Sequence, residues 1–577
     1  MTGGSNGHRD ADAPPAHGRR DRRRPARGRH DPRSLATRLP VVLVLAAVIA
    51  GAVALDARDD RAGGSGAPAI ERPPAGADTA VMPATPGTSA DSSTWYCAAG
   101  TAEEGGFADH TVAIQNPSRR DVEATLTVYA GGLATATPPG ETSEEPGTSA
   151  PEVERVAVPA GERVVVRLAD VVQAPLAAAL VEVDGGDVAV EHRVAGDHGE
   201  DAAPCSTFAA PAWHFAWGST ARDAREVVIL FNPFPSAATV DASFVTEDGR
   251  REPVRFQGLP VPPGSVVGVD LGDDVTRADQ VAATFRVRSG RVVAERLEQY
   301  DGSLGPEGLA LTLGTPTAGT AWVFPDGEAS ATSPATPAPE NRPDPRDDRA
   351  ALVTTERIVV YNPGEERAEV DVSPVPTGDG PAPQPFGLSI GPGRSEIVDY
   401  GGQARIEPGV PHATVVRSTN GVPVVVERVL LDEGPVPARS PSGTPRPGEL
   451  SAASGARLAA RAWCLPSVGD IGGRGRTVDI VVFNPDADAA RSVEVTLAPL
   501  DPAAGLPARP DPVDVPPGTR VAIPLDDATA AAAGDAVVLA DGPVVVERVV
   551  RAADGRRVSA QPAIPLASGA VTLDTHL

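Results

Sequence analysis

The chain carries one ordered set of landmarks four times, and this repetition restricts its fold more than any other feature. Each copy begins at a tryptophan and continues into an apolar stretch that ends in Asn-Pro. The asparagines of these steps are Asn116, Asn232, Asn362 and Asn484. Each copy is therefore well over 100 residues long, whereas a propeller blade needs only about 40–45. The repetition predicts four related domains in tandem.

The Asn-Pro steps predict strand ends. Proline keeps the preceding residue out of the helical region and cannot donate to a strand ladder, while an asparagine side chain can close an Asx-turn. A proline-glycine turn follows in every copy, at Gly161, Gly264, Gly393 and Gly518. Glycine supplies the positive φ of a type II turn, so a further pair of strands is expected on either side of it.

The first copy contains seven stretches with strand character, from Trp95 to the run 188–194. Seven short strands in roughly 100 residues are typical of an immunoglobulin-like sandwich. Long helical patterns do not alternate with these strands, which argues against an α/β fold. The predicted fold class is all-β: a tandem array of four immunoglobulin-like β-sandwich modules after an N-terminal transmembrane helix.

Each copy closes with a valine-rich strand that carries a glutamate and, directly after it, a basic residue. The glutamates are Glu191, Glu295, Glu427 and Glu547, followed by His192, Arg296, Arg428 and Arg548. Adjacent residues of a strand face opposite sides, so the acid and the base of one pair cannot share a cleft. A reaction seldom needs four copies of its site. We therefore predict a structural role, in which one of the two side chains forms an ion pair or caps a strand at a sheet rim.

The N-terminal part has the pattern of a membrane anchor. Residues 1–38 contain ten arginines and four aspartates, and residues 39–55 are uncharged and mainly apolar. This arrangement predicts a cytoplasmic N-terminus and an extracellular bulk. Ala52-Val-Ala54 resembles a signal-peptidase site, so cleavage and secretion remain the alternative to a single-pass anchor in the cell membrane. The exported part is strongly acidic, which argues against nucleic acid as a partner.

The predicted organisation has eight parts. In chain order they are a cytoplasmic Arg-rich disordered tail (1–38), a transmembrane signal-anchor helix (39–55), a disordered linker (56–91), module 1 (92–207), module 2 (208–318), module 3 (319–436, with a disordered insert at 327–350), a second linker (437–454) and module 4 (455–577).

Three cysteines lie in the exported part, where disulfides form. Cys97 and Cys205 stand at the two ends of module 1 and form one possible disulfide. Cys464 occupies the position equivalent to Cys97, so a pairing with Cys205 is the other possibility. The histidines and acids near the end of module 1 match no ligand motif, and no metal or cofactor is expected. The tryptophans are expected in the core rather than on a sugar-binding surface.

Several short motifs resemble one known family. Ser93-Thr-Trp-Tyr-Cys97, Asp109-His-Thr-Val112 and Leu230-Phe-Asn-Pro-Phe-Pro235 are similar to the DUF5719 family of exported actinobacterial proteins of unknown function. The resemblance extends from about Ser93 to the C-terminus and implies no catalytic residues. The family also resembles envelope proteins encoded beside membrane glycosyltransferases, which implies a connection with surface polymers.

These observations favour a non-enzymatic cell-envelope protein: a membrane-anchored stalk of β-sandwich modules for binding or scaffolding at the cell surface. The expected partners are cell-wall polymer or a membrane-bound envelope enzyme such as a glycosyltransferase. No G-x-S-x-G, H-E-x-x-H, P-loop or dinucleotide motif is present. The alternative is an envelope hydrolase with an unrecognised site between modules.

Overall fold

A computed structural model describes residues 81–86, 90–134, 150–185, 188–303, 306–329, 353–378, 382–401, 403–433, 450–466, 476–487, 489, 491–499, 511–525, 536–551 and 557–576. All of them belong to one compact unit, Ala75–Leu577. No helix in these ranges is long and apolar enough to cross a bilayer. The predicted tail, the predicted membrane segment 39–55, and residues 330–350 of the predicted insert lie outside them.

The described part is all-β, and its strands fall into four sets that we call repeats 1 to 4. Repeat 1 comprises β1 (Ser92–Cys97), β2 (Asp109–Gln115), β3 (Val122–Leu133), β4 (Glu152–Val158), β5 (Arg163–Arg167), β6 (Leu176–Asp184), β7 (Ala189–Gly196) and β8 (Gly199–Pro204). Repeat 2 comprises β9 (Ala212–Phe215), β10 (Ala224–Asn232), β11 (Ala238–Thr246), β12 (Gly249–Arg251), β13 (Gln257–Val261), β14 (Ser265–Asp270), β15 (Ala282–Ser289), β16 (Val293–Asp301) and β17 (Glu307–Leu313).

The second half of the chain continues the series. Repeat 3 comprises β18 (Ala321–Phe324), β19 (Val353–Asn362), β20 (Ala368–Pro376), β21 (Phe386–Ile390), β22 (Arg394–Asp399), β23 (His412–Ser418), β24 (Val425–Glu433) and β25 (Leu450–Ser454). Repeat 4 comprises β26 (Leu458–Cys464), β27 (Thr477–Phe483), β28 (Val493–Pro499), β29 (Val513–Val515), β30 (Arg520–Leu525), β31 (Ala536–Arg551) and β32 (Arg557–Pro562), followed by β33 (Ile564–Pro565), β34 (Val571–Thr572) and α1 (Leu573–His576). Within the described ranges, repeats 1 and 2 also contain three short 3₁₀ helices, at Leu168–Asp170, Val254–Phe256 and Leu271–Asp273.

The same pairing order recurs in all four repeats. In repeat 1, one sheet has the order β1-β6-β3-β4 and the other has the order β5-β2-β7-β8. Repeat 3 repeats this as β18-β23-β20-β21 and β22-β19-β24-β25. In repeat 2 the short β12 is an addition beside the third strand, and in repeat 4 the long β31 serves as both the sixth and the seventh strand. Each repeat thus has a defined first to eighth strand in two antiparallel sheets.

The strand count differs from the predicted seven, and the topology differs from that of an immunoglobulin sandwich. The second strand pairs with the fifth and the third with the sixth, as strands B–E and C–F do in an immunoglobulin sandwich. The first strand, however, pairs with the sixth, and the seventh strand pairs with the second. In an immunoglobulin sandwich the first strand belongs to the sheet of the second strand and the seventh to the sheet of the sixth, so both strands have changed sheets here. The eighth strand of repeat 1, Gly199–Pro204, was missed because its glycine, acids and alanines have low strand propensity.

The four recurrent asparagines connect the two sheets of each repeat. The side chain of Asn232 accepts from Phe234 N (3.1 Å), which is the predicted Asx-turn, and equivalent bonds occur at Asn116, Asn362 and Asn484. In addition, Asn232 Nδ2 donates to Val261 O (3.0 Å), at the end of the fourth strand in the facing sheet. Because all four asparagines are buried, each one fixes a strand end from both sides.

The repeats are arranged in a closed ring. Their eighth strands, β8, β17, β25 and β32, contact one another in that cyclic order, so β32 of the last repeat meets β8 of the first. At the centre, Gln561 Nε2 donates to Asp201 Oδ2 (3.0 Å) and to Ala452 O (2.9 Å), which links three repeats. Burial raises the pKa of Asp201 to about 7, although it accepts from Ser559 Oγ at 2.6 Å. The architecture is therefore a ring rather than an extended stalk.

The predicted linkers contribute to this ring. Leu450–Ser454 is the end of the predicted linker 437–454, but it forms the buried strand β25. Met82, in the predicted linker 56–91, is buried, and Thr85 N donates to Pro565 O (3.0 Å). Of the predicted insert, Ala329 is also buried. Small residues without a strand pattern resembled a linker, yet the surrounding repeats bury them.

Candidate functional site

The recurrent glutamates and bases lie where successive repeats meet. Arg296 Nη2 of repeat 2 lies 2.9 Å from Glu427 Oε2 of repeat 3, and Arg428 Nη1 of repeat 3 lies 3.1 Å from Glu547 Oε2 of repeat 4. Arg548 Nη1 of repeat 4 then pairs with Glu191 Oε2 of repeat 1 at 2.9 Å. The base of one repeat thus always meets the acid of the next, and the last pair closes the ring.

Three of the four recurrent glutamates also accept hydrogen bonds from the backbone of the preceding repeat. Glu427 accepts from Ala216 N (2.8 Å), and Glu547 accepts from Asp326 N (2.8 Å). Glu295 accepts from Ala98 N and Ala99 N at 2.9 and 2.7 Å. These amides follow the first strand of their repeat, directly after the recurrent tryptophan motif. Each of these glutamates therefore contacts two elements of the preceding repeat: the base on its seventh strand and the backbone of the loop after its first strand.

The predicted ion pairs form, but their location differs from the prediction. Glu547 faces repeat 3 and Arg548 faces repeat 1, so adjacent residues do point to opposite sides. The side chains of all four pairs are at most 3% exposed, so they lie inside the inter-repeat junctions and not at a sheet rim. A buried pair is costly to break because removing one partner leaves an uncompensated charge.

Histidines replace the arginine at the junction of repeats 1 and 2. His110 Nδ1 lies 2.9 Å from Ala177 O, and His110 Nε2 lies 2.8 Å from His192 Nδ1. His192 Nε2 in turn lies 3.3 Å from Glu295 Oε2. Burial and the neighbouring His192 lower the pKa of His110 well below its ordinary value. When His110 Nδ1–H donates to Ala177 O, its Nε2 is left to accept from His192 Nδ1–H.

Repeat 2 contains more buried acids than bases. Glu226 and Glu298 lie directly opposite each other on β10 and β16, and both are fully buried. The nearby Arg296 already pairs with Glu427. Burial raises the pKa of Glu226 to about 8 and raises the pKa of Glu298 well above its ordinary value. One guanidinium cannot neutralise three carboxylates, so burial favours the protonated form of these two acids.

The structure forms the first of the two disulfides considered above. Cys97 and Cys205 are joined, with their Cα atoms 4.7 Å apart, and Cys464 is buried outside this bond. The five tryptophans are at most 1% exposed, which leaves them unavailable for stacking on a ligand. In the described ranges no group of three or more His, Cys, Asp or Glu side chains is placed to hold a metal ion.

The junctions differ in how their outer part is filled. In each repeat, one residue of the fifth strand pairs with the residue that precedes the recurrent asparagine. This residue of the fifth strand is Arg163 in repeat 1, Val266 in repeat 2, Ser395 in repeat 3 and Arg520 in repeat 4. Arg520 donates to Pro325 O (2.8 Å) of repeat 3, and Arg163 donates to Pro466 O (2.8 Å) of repeat 4. Val266 belongs to β14, which pairs in parallel with β3 of repeat 1. Three junctions are thus filled by a long side chain or a strand pairing.

At the junction of repeats 2 and 3 the equivalent residue is only a serine. Ser395 Oγ accepts from Gln280 Nε2 (2.7 Å), and the preceding residue, Arg394, lines a polar cleft of about 520 Å³. Tyr361 and Thr284 lie in its lining, with their hydroxyl oxygens 2.9 Å apart, and Thr284 Oγ1 is 2.9 Å from His214 Nδ1. Burial lowers the pKa of His214 to about 4, so its ring is neutral. Sequence reasoning missed this cleft because its lining combines residues of two repeats that are distant in sequence.

Comparisons with known proteins match one part of the chain to a family and reveal no activity. No curated protein matches the chain. Among solved structures, an Anabaena sensory rhodopsin transducer is 22% identical over 19% of this chain and 96% of its own, with a TM-score of 0.15. The Thermotoga maritima protein 1070 is 21% identical over 24% and 95%, with a TM-score of 0.17. A tetra-tandem repeat from the extending region of a large adhesion protein is 13% identical over 82% and 99%, with a TM-score of 0.09.

With TM-scores this low, none of these three similarities decides the fold or the function. The family match is more specific. It covers residues 190–434, which include the motif Leu230–Pro235, most of repeats 2 and 3 and the cleft between them. The resemblance inferred from the sequence is thereby confirmed: over residues 190–434 this chain matches DUF5719, a family of unknown function.

Proposed function

We propose that this chain is a non-enzymatic cell-envelope protein that acts in binding or scaffolding at the cell surface. Its exported part would be a closed ring of four β-sandwich modules, held at the membrane through residues 39–55. One observation carries this proposal: the four recurrent acid–base positions, which are the best candidates for catalysis in the sequence, are buried and used in joining the repeats. A ring stabilised in this way offers a rigid outer surface to a partner.

The expected partners are cell-wall polymer or a membrane-bound envelope enzyme such as a glycosyltransferase. The test uses the compact fragment Ala75–Leu577, mixed with isolated cell walls and sedimented, together with crosslinking of the full chain in intact cells. Retention on walls supports polymer binding, and recovery of one membrane enzyme supports scaffolding. If neither occurs, the proposal is wrong.

An envelope hydrolase with a site between modules is the second candidate. The observation that favours it is the hydrogen-bonded series His214, Thr284 and Tyr361 beside the cleft between repeats 2 and 3. The same sedimentation experiment separates the two functions. Release of soluble sugar from the walls, abolished by His214→Gln, would support the hydrolase and contradict a purely binding role.

A further inference from the structure

The cleft between repeats 2 and 3 contains two arginines without partners. Arg286 and Arg394 are exposed in its lining, and among the described residues neither has an ion pair or a side-chain hydrogen bond. The neighbouring charges differ in this respect. Arg250 pairs with Glu252 at 2.6 Å, and Arg288 pairs with Asp241. Two guanidinium groups are therefore free to bind an anion from solution, and planar guanidinium groups suit carboxylates particularly well.

The rest of the lining suits a hydroxylated ligand. Tyr361, Thr284, Ser243 and Gln257 bring hydroxyl and amide groups to the same cleft. The hydroxyls of Tyr361 and Thr284 are already oriented by their mutual contact of 2.9 Å. Such a lining has no broad apolar wall for a hydrophobic side chain. It favours sugars, which offer many hydroxyl groups, over a peptide or a lipid chain.

A second cleft extends the first. Its volume is about 580 Å³, and it shares Pro392 and Arg394 with the cleft described above. The two clefts thus lie on either side of the turn that begins β22, and Arg394 borders both. A ligand that uses both volumes must be elongated, which is the shape of a polymer segment rather than of a single small molecule.

We infer that the paired clefts bind a segment of an acidic polysaccharide, with Arg286 and Arg394 holding carboxylates of separate sugar units. This inference rests on the proposed binding function and names the class of polymer. Acids such as Glu365 also border the cleft, and the exported part as a whole is acidic. A densely charged polyanion would be repelled strongly, whereas a glycan with widely spaced carboxylates would be repelled much less.

The test measures binding of a uronic-acid oligosaccharide to the full chain in detergent by isothermal titration calorimetry. We expect binding that weakens with added salt, and Arg286→Gln or Arg394→Gln should each lower the affinity by about tenfold, because each removes a charge-assisted hydrogen bond to a carboxylate. The matched control is Arg155→Gln, which removes an exposed arginine of repeat 1 and should leave the affinity unchanged. A neutral oligosaccharide of equal length should bind far more weakly.

Three results would overturn the inference: no binding of the acidic oligosaccharide, equal binding of the neutral one, or affinity that survives both substitutions. Because both arginines are exposed, an unchanged unfolding midpoint verifies that the variants are folded. If the double variant still sediments with cell walls as the natural chain does, the cleft is not the polymer site but the proposed function stands. If the natural chain neither sediments with walls nor crosslinks to an enzyme, the proposed function itself fails.

Discussion

Arg548 Nη1, near the end of the chain, lies 2.9 Å from Glu191 Oε2, which precedes it by 357 residues. This contact joins repeat 4 to repeat 1, and every other junction has a contact of the same kind. Four repeats on one chain thereby form a ring with no free end at its centre. In a linear array, the first and the last repeat would each leave one inter-repeat surface exposed. In the ring, both of these surfaces are buried.

Breaking the closing pair should destabilise the whole ring. We expect Arg548→Met to lower the free energy of unfolding by about 3–5 kcal/mol, because Glu191 would remain buried without its main counter-charge. The double variant Glu191→Gln/Arg548→Met should recover part of this loss. Chemical denaturation of Ala75–Leu577 measures both. Arg155→Met, which breaks an exposed pair with Glu123, is the control and should have little effect. Equal effects at the two pairs would contradict ring closure.

The excess of acid in repeat 2 should make stability depend on pH. Glu226 has a pKa of about 8 in the folded chain against an ordinary value of 4.5, so the folded state keeps a proton that the unfolded state releases. The contribution of Glu226 to the free energy of unfolding should therefore fall as the pH rises from 4.5 to 8.

Glu226→Gln removes that dependence, because glutamine keeps the shape of the protonated acid without titrating. At pH 8 we expect the variant to be more stable than the natural chain by about 2–4 kcal/mol, and at pH 5 nearly equal to it. Denaturation midpoints between pH 5 and 9 test this, with the exposed Glu154→Gln as control. A constant difference at all pH values would show that Glu226 does not titrate in this range.

The disulfide should contribute a large part of the stability of repeat 1. It closes a loop with a sequence separation of 108 residues, and chain entropy assigns a loop of this size roughly 4–5 kcal/mol. The variant Cys97→Ser/Cys205→Ser should lose about that amount in denaturant unfolding. Cys464→Ser should lose much less, since this residue lies outside the bond. Peptide mapping without reduction provides a direct check, and a peptide that joins Cys205 to Cys464 would refute the pairing.

The asparagines that connect the sheets should not tolerate substitution. Asn232→Ala removes the donor to Val261 O, Pro262 O and Ser236 O and the acceptor for Phe234 N. Because these groups are mostly buried, we expect a loss of about 2–4 kcal/mol in the free energy of unfolding. Gln173→Ala, at an exposed side chain, serves as the control. A loss no greater than that of the control would mean that water replaces the asparagine.

Much of the repeat could be predicted from its residues because the signals are local. Asn-Pro marks the end of the second strand in every repeat, since proline cannot continue a ladder and the asparagine closes its own turn. The opposed directions of Glu547 and Arg548 follow from strand geometry alone. The cleft between repeats 2 and 3 was beyond such reasoning, because residues of two repeats that are distant in sequence form its lining.

The sequence by itself determined that this chain is all-β, that its strands recur in four copies, and that the acid and base of each pair face opposite ways. Only the tertiary structure decided that the copies close into a ring. The strand Leu450–Ser454 contains only leucine, serine and alanine, and its sequence resembled a linker. It becomes a buried strand because neighbouring repeats surround it at the centre, and burial by residues distant in sequence has no local signal.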